Sequence, residues 1–289
     1  MEVTKVCILG AGVMGGQLAQ AFASSNYEVS LVDVDDKFVQ NGINAIKSNL
    51  KKYFVDKGKI TQEEADKIVA RIKGFTDLKR AVEGVQLVVE CIPEEMELKK
   101  QTFKRLDELC APETILASNT SALSITAIGS LTRRQDKVIG MHFFNPVAVM
   151  KLVEIIRGVK TSDETCQVVK DVAAKLGKET IIVNKDAPGF VVTRLFVVLS
   201  NEAVKLLEEG VATAEDIDKG CQLGLGHAMG PPRSQDITNG IPVALRCLDY
   251  MRTELGECYR PSPLWRRKVE AGELGVKAGK GFYDYSQRQ

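Results

Sequence analysis

Short apolar runs alternate with stretches whose apolar positions recur every three to four residues, and this alternation persists to about residue 183. Short runs predict strands and the longer period predicts amphipathic helices. Strands are expected over residues 3–9, 28–32, 86–92, 114–117, 137–141, 151–156 and 180–183, with helices over 14–22, 96–109 and 162–176. Residues 37–71 read as helical throughout, with Gly58 marking a break and Thr61-Gln-Glu-Glu64 a capped restart, which makes them a long helical insertion. After a turn-rich boundary at 184–189 the strand signals cease. Residues 190–209 form a long, largely apolar helix, 214–223 another with acidic first-turn residues, and 240–285 a mostly helical tail with Gly and Pro punctuation. The expected fold class is α/β: a Rossmann-type, doubly wound, mostly parallel sheet with a helical hairpin insertion over residues 1–185. An all-α domain over 186–289 follows it. Its first helix, apolar nearly all round, needs either the domain's own core or a homodimer partner to cover it.

The first strand runs directly into Gly10-Ala11-Gly12-Val13-Met14-Gly15, a G-x-G-x-x-G motif that opens the first helix. In that setting Gly10 makes the tight turn, Gly12 admits a pyrophosphate to the backbone, and Gly15 allows helix and strand to pack closely. Asp33 closes the next strand about 20 residues on, where an acid accepts hydrogen bonds from an adenosine ribose and repels an additional phosphate. The expected cofactor is therefore NAD, with Gly10, Gly12, Val13, Met14, Gly15 and Asp33 as its contacts. Asp35 and Asp36 compete for the ribose, but a helix N-cap and first turn explain them as well.

The chain has two histidines, His142 and His227, so the choice of an imidazole base is narrow. His142 follows an apolar run, and Glu154 sits inside the next one. Alternation along 151–156 puts Glu154 on the face of Leu152 and Ile156, where an acid needs a partner. The competing explanation is an edge strand with Glu154 solvated or paired to Lys151 or Arg157. His227 lies in a glycine- and proline-rich loop with no embedded acid close by in sequence. Ser118-Asn119-Thr120-Ser121 follows the strand at 114–117, at the sheet edge where ligands bind. It reads equally as a capping turn. Glu90, inside a strand, is either a satisfied buried acid or a nicotinamide-side contact. The helical insertion carries Lys47, Lys51, Lys52, Lys57 and Lys59, either a solvated face or a seat for a phosphate-rich substrate handle.

Composition narrows the function classes. At 289 residues, 44% hydrophobic and 27% charged, with a formal net charge of +1, the chain is globular and has no field to draw in nucleic acid. No signal peptide is recognised at the N-terminus, and no apolar run reaches the roughly 18 residues of a membrane span. The seven cysteines include no CxxC pair and no histidine at metal spacing, which predicts reduced thiols, a cytoplasmic location and no metal.

Together GAGVMGG, LVVECIPE, ILASNTSALSIT, MHFFNPVAVMKLVEII, DAPGFVVTRL, MGPPRSQD and GKGFYDY closely resemble the L-3-hydroxyacyl-CoA dehydrogenase family, particularly its short-chain 3-hydroxybutyryl-CoA members. The likeness runs nearly end to end, and the segment around HFFNP carries its specificity. It implies NAD-dependent, reversible oxidation of an L-3-hydroxyacyl-CoA to a 3-oxoacyl-CoA. His142 becomes the base, Glu154 its orienting carboxylate, and Ser121 and Asn145 substrate contacts. Glu94, Lys99 and Asn119 line the cofactor, and Lys51 and Lys52 meet the coenzyme A phosphates. A homodimer through the C-terminal helical domain is also implied. The chain departs from the family where PGF-x-x-NR becomes Pro188-Gly-Phe-Val-Val-Thr193-Arg194, so a substrate-side hydrogen bond falls to Thr193. Likewise Gly230-Pro231-Pro232 replaces GPF. A dehydrogenase of free hydroxy acids or polyols, such as gulonate, is the second reading, and a catalytically idle NAD-binding protein the third.

Overall fold

The computed structural model describes residues 1–286, which divide into two compact units, Met1–Asp186 and the described residues from Ala187 onward. In the first unit β1 (Lys5–Leu9) leads through α1 (Val13–Ser24) to β2 (Glu28–Val32). A crossover of α2 (Asp36–Leu50), a wider helical turn at Lys51–Val55 and α3 (Gln62–Ala70) then returns to β3 (Ile72–Phe75). The chain continues through α4 (Leu78–Ala81), β4 (Leu87–Glu90), α5 (Met96–Leu109), β5 (Ile115–Ser118), α6 (Ile125–Gly129) and β6 (Val138–Phe143). It ends with β7 (Leu152–Arg157), α7 (Asp163–Lys175) and β8 (Glu179–Val183). One eight-stranded sheet has the order β3-β2-β1-β4-β5-β6-β7-β8.

Every neighbouring pair is parallel except β6 with β7. The exception has a simple cause: only residues 144–151 join these strands, and a parallel return needs a crossover of a dozen residues or more. The helical pair over 36–70, read from sequence as an insertion, is itself the crossover between β2 and β3. The strand β3 was not among those expected. Its four residues, IKGF, bury only the first fully and offer too little alternation to be read.

Helix α1 lies against the sheet through Leu18, Ala19, Phe22 and Ala23, all fully buried among Val6, Ile8, Leu31 and their neighbours. Small residues along this face permit the close approach, and Phe22 meets Tyr27 and Phe143 edge-on at 5.3 and 6.5 Å. Truncating Phe22 to alanine is expected to cost about 3–5 kcal/mol by cavity formation.

The second unit contains α8 (Val192–Glu208), α9 (Ala214–Leu225), α10 (Pro231–Thr238), α11 (Ile241–Leu255) and α12 (Pro263–Glu270). Its core closes on Trp265, fully buried, whose Nε1 donates to Asn201 Oδ1 at 3.0 Å and whose ring meets Phe282 edge-on. Asp236 pins the C-terminal segment by accepting from Phe282 N and Tyr283 N, each at 2.9 Å, and from the Tyr285 hydroxyl. Helix α8 is less uniformly covered than its sequence predicts: Val197, Ala203 and Val204 are buried, whereas Leu195 is 69% exposed and Val198 43%.

Candidate active site

The parallel strands β1, β4, β5 and β6 bring four short segments to one edge of the sheet. At the end of β1 the glycines divide by what requires them. Gly10 has φ +103°, and a Cβ there would sit 2.7 Å from the Cys91 carbonyl oxygen. A Cβ on Gly15 would sit 1.7 Å from the Gly10 oxygen. Gly12 differs, because nothing lies within 4 Å of where its Cβ would be. The protein itself does not need a glycine at that position, but a phosphate group approaching the backbone would. Asp33 stands beside this loop, accepting from Ala11 N through Oδ2 and from its neighbour Val34 N through Oδ1, both at 2.7 Å. It therefore holds the glycine turn in shape. That bracing role was not foreseen.

At the ends of β4 and β5 lies a buried charged cluster. Glu90 is fully buried; its carboxylate receives Lys99 Nζ at 2.6 Å, Ser118 Oγ at 2.6 Å and Ile92 N at 2.7 Å. Of the two readings for Glu90, this is the satisfied buried acid. Burial would lower the pKa of the Lys99 ammonium, but Glu90 and then Glu94 hold it above the ordinary lysine value. Glu94 extends the cluster outward. It accepts from Thr120 Oγ1 at 2.5 Å, Ser121 N at 2.9 Å and Ala122 N at 3.3 Å, and lies 3.4 Å from Lys99. At the far end of the same loop Asp186 accepts from Ser124 Oγ, Ile125 N and Thr126 N. The Ser121 loop is thus held by a carboxylate at each end. Sequence reading allowed Glu90 as a satisfied buried acid but missed Asp186 as a support of the loop. Asn119 is engaged as well, its Oδ1 accepting from Phe143 N at 2.8 Å.

That last bond braces the end of β6, where His142 stands. His142 is registered directly opposite Glu154 across the antiparallel ladder, and its Nδ1 lies 2.7 Å from Glu154 Oε2. Both are buried, at 4% and 0% exposure, and the Phe144 ring lies 4.5 Å from the imidazole, centroid to centroid. Of the two sequence readings for Glu154, the structure carries the buried partner. The carboxylate takes up Nδ1, one of the two ring nitrogens that can carry a proton.

The model for the NAD-binding domain of 3-hydroxyacyl-CoA dehydrogenase matches residues 5–187, and that for the C-terminal domain of the same enzyme matches residues 189–285. The chain belongs to the 3-hydroxyacyl-CoA dehydrogenase family. A probable 3-hydroxybutyryl-CoA dehydrogenase of Bacillus subtilis is 44% identical over 289 residues, covering 100% of this chain and 99% of the relative. The solved (S)-3-hydroxybutyryl-CoA dehydrogenase PaaH1 of Ralstonia eutropha superposes with a TM-score of 0.92 at 41% identity, covering 99% of this chain and 100% of that one. FadB2 of Mycobacterium tuberculosis superposes with a TM-score of 0.94 at 36% identity, with the same coverage.

The cofactor of this 3-hydroxyacyl-CoA dehydrogenase is NAD. The open space at Gly12 and the N-terminus of α1 suit its pyrophosphate, and Asp33 suits an unphosphorylated ribose. The remaining expected residues distribute unevenly. Ser121, Glu94, Lys99, Asn119 and Asn145 follow or neighbour strands ending at the edge that carries His142. Lys99 is 1% exposed, with its ammonium turned to Glu90. Lys47, Lys51, Lys52, Lys57 and Lys59 are exposed, and among the described residues none has a carboxylate within ion-pair distance. Lys47 and Lys51 flank a groove shared with Gln62 and Asp66. Thr193 lies in the first turn of α8, in the second unit. His227 follows the left-handed Gly226 that ends α9, and no side-chain hydrogen bond to it is found among the described residues. Among the described residues no group of acidic, histidine and cysteine side chains is arranged to hold a metal, and no helix is long and apolar enough to cross a membrane.

Proposed function

We propose that this family member interconverts (S)-3-hydroxybutyryl-CoA and 3-oxobutyryl-CoA with His142 as the acid–base residue. The observation that carries the reading is the buried His142–Glu154 pair at 2.7 Å. A carboxylate at Nδ1 fixes the tautomer with Nε2 unprotonated, so Nε2 accepts the proton of the substrate 3-hydroxyl as C3 gives up its hydride. Bound NAD supplies the hydride acceptor. Glu154 stabilises the imidazolium that forms, and reduction returns the proton from Nε2 to the C3 oxygen. Ser121, on the loop braced by Glu94, and Asn145, three residues beyond His142, are assigned to the substrate. The exposed Lys51 and Lys52 take the coenzyme A phosphates.

The same reading makes the enzyme cytoplasmic and a homodimer formed through its helical unit. Support for the dimer comes from the exposure of Leu195 and Val198 on α8 and of Leu223 and Leu225 on α9. Light scattering at twice the chain mass is the expected result. Substrate class is tested by following NADH absorbance with 3-hydroxyacyl-CoA esters of graded chain length and with free 3-hydroxybutyrate. Turnover with the four-carbon thioester and none with the free acid is expected. Turnover of the free acid at a comparable rate would favour the hydroxy-acid dehydrogenase reading instead.

A further inference from the structure

Between His142 and β7 the chain turns through Phe144, Asn145, Pro146 and Val147, and one side chain from elsewhere reaches into that turn. Gln17, on the second turn of α1, accepts from Val147 N through Oε1 at 2.7 Å and donates from Nε2 to Asn145 Oδ1 at 2.9 Å. A backbone N–H can only donate, so Val147 dictates that the Gln17 oxygen faces it and that the Gln17 amide nitrogen faces Asn145. A donor must be met by an acceptor, so Asn145 turns its Oδ1 toward Gln17 and its NH2 group away. Asn145 is exposed, and among the described residues its Nδ2 has no hydrogen-bond partner.

We propose that Gln17 is a positioning residue that sets the amide of Asn145, so that a pair of N–H donors faces the ligand at the carboxyl edge of β6. The partner selected is a carbonyl-type oxygen. This rests on the assignment of Asn145 to the binding site. Such an oxygen has two sources there, the acyl-CoA and the carboxamide of the nicotinamide. Gln17 also ties the helix that receives the pyrophosphate to the strand end that carries His142, so cofactor seat and base share one support.

Gln17→Glu in the full-length enzyme keeps an acceptor for Val147 but sets a second acceptor against Asn145, which must then invert and present its oxygen outward. In that variant kcat/KM for (S)-3-hydroxybutyryl-CoA is expected to fall about ten- to a hundredfold. Gln17→Met frees the Asn145 amide and leaves Val147 N without its acceptor, but sets no second acceptor against Asn145, and so costs less. In an Asn145→Ala background the Gln17→Glu loss disappears, because the group it acts through is gone. NADH titration by fluorescence identifies the oxygen. A weaker dissociation constant at unchanged KM for the thioester places it on the nicotinamide, and the reverse places it on the acyl-CoA. The proposal is overturned if Gln17→Glu is silent, or if its loss persists undiminished without Asn145, as simple repulsion of the pyrophosphate would produce. Normal kinetics in Asn145→Ala alone would overturn the assignment of Asn145 and the proposal with it. A large loss there beside a silent Gln17→Glu would overturn only the role of Gln17.

Discussion

His142 and Glu154 are twelve residues apart in sequence and directly opposite in space, paired across the one antiparallel step of the sheet with 2.7 Å between Nδ1 and Oε2. Registration by the ladder places the acid behind the base with no loop to adjust it. If this pair carries out the proton transfer, His142→Gln lowers kcat by about three to four orders of magnitude, a loss of the size seen when an acid–base group is removed. Binding of NADH, measured by fluorescence titration, is expected to stay within about twofold, since the glycine turn is held by Asp33. Glu154→Gln keeps the volume but withdraws the charge, and its kcat is expected to fall about a hundredfold or more. Near-normal turnover in either variant would remove the pair from the mechanism.

The Glu90–Lys99 pair makes a separate prediction about stability. Replacing Glu90 with alanine leaves a buried ammonium without its principal counter-charge, and about 3–5 kcal/mol of stability should be lost. Denaturant unfolding followed by circular dichroism is the check. Glu90→Gln, which still accepts from Ser118 and Ile92, is expected to lose less. Equal losses in the two variants would mean that shape and not charge matters at that position.

Asp218, in the second unit, is predicted to make stability depend on pH. Burial pushes its carboxyl above the ordinary aspartate value, opposed by the Tyr283 hydroxyl and by Arg233 N, and its Oδ1 is buried with no hydrogen-bond partner. A raised pKa means that the folded state holds the proton more tightly than the unfolded state. The contribution is therefore fully present below the ordinary aspartate pKa and lost as pH rises through the folded value. Asp218→Asn should narrow the difference in Tm between about pH 4 and pH 8. Trp265, the single tryptophan, lies in this unit and reports its unfolding. An unchanged difference would show that other groups set the pH dependence.

If the lysines of α2 and the turn after it meet the coenzyme A phosphates, they set substrate affinity. Exchanging Lys51 and Lys52 together for glutamine is expected to raise KM for the coenzyme A thioester about five- to tenfold, while a pantetheine thioester, which lacks the nucleotide phosphates, is unaffected. The effect should shrink at high salt. Equal loss with both thioesters would make the lysines structural.

Much of the fold was legible before any coordinates. The glycine-rich turn, the alternation of strands and helices and the all-helical second unit follow from local periodicity and turn chemistry, which the chain writes residue by residue. The candidate base and its acid could be named because histidines are scarce and because an acid inside an apolar strand demands a partner. β3 could not be read, since IKGF at a sheet edge is given its state by β2 beside it and not by its own pattern. Only the tertiary structure decided which partners the polar groups take. It paired His142 with Glu154, turned Lys99 inward to Glu90, set Glu94 and Asp186 at the two ends of the Ser121 loop, and placed Gln17 against Asn145 across 128 residues. The reason is physical. Apolar periodicity reports which face of an element is buried, whereas a hydrogen bond depends on distances of a few tenths of an ångström between segments far apart in the chain, and these are set by how the sheet orders its strands.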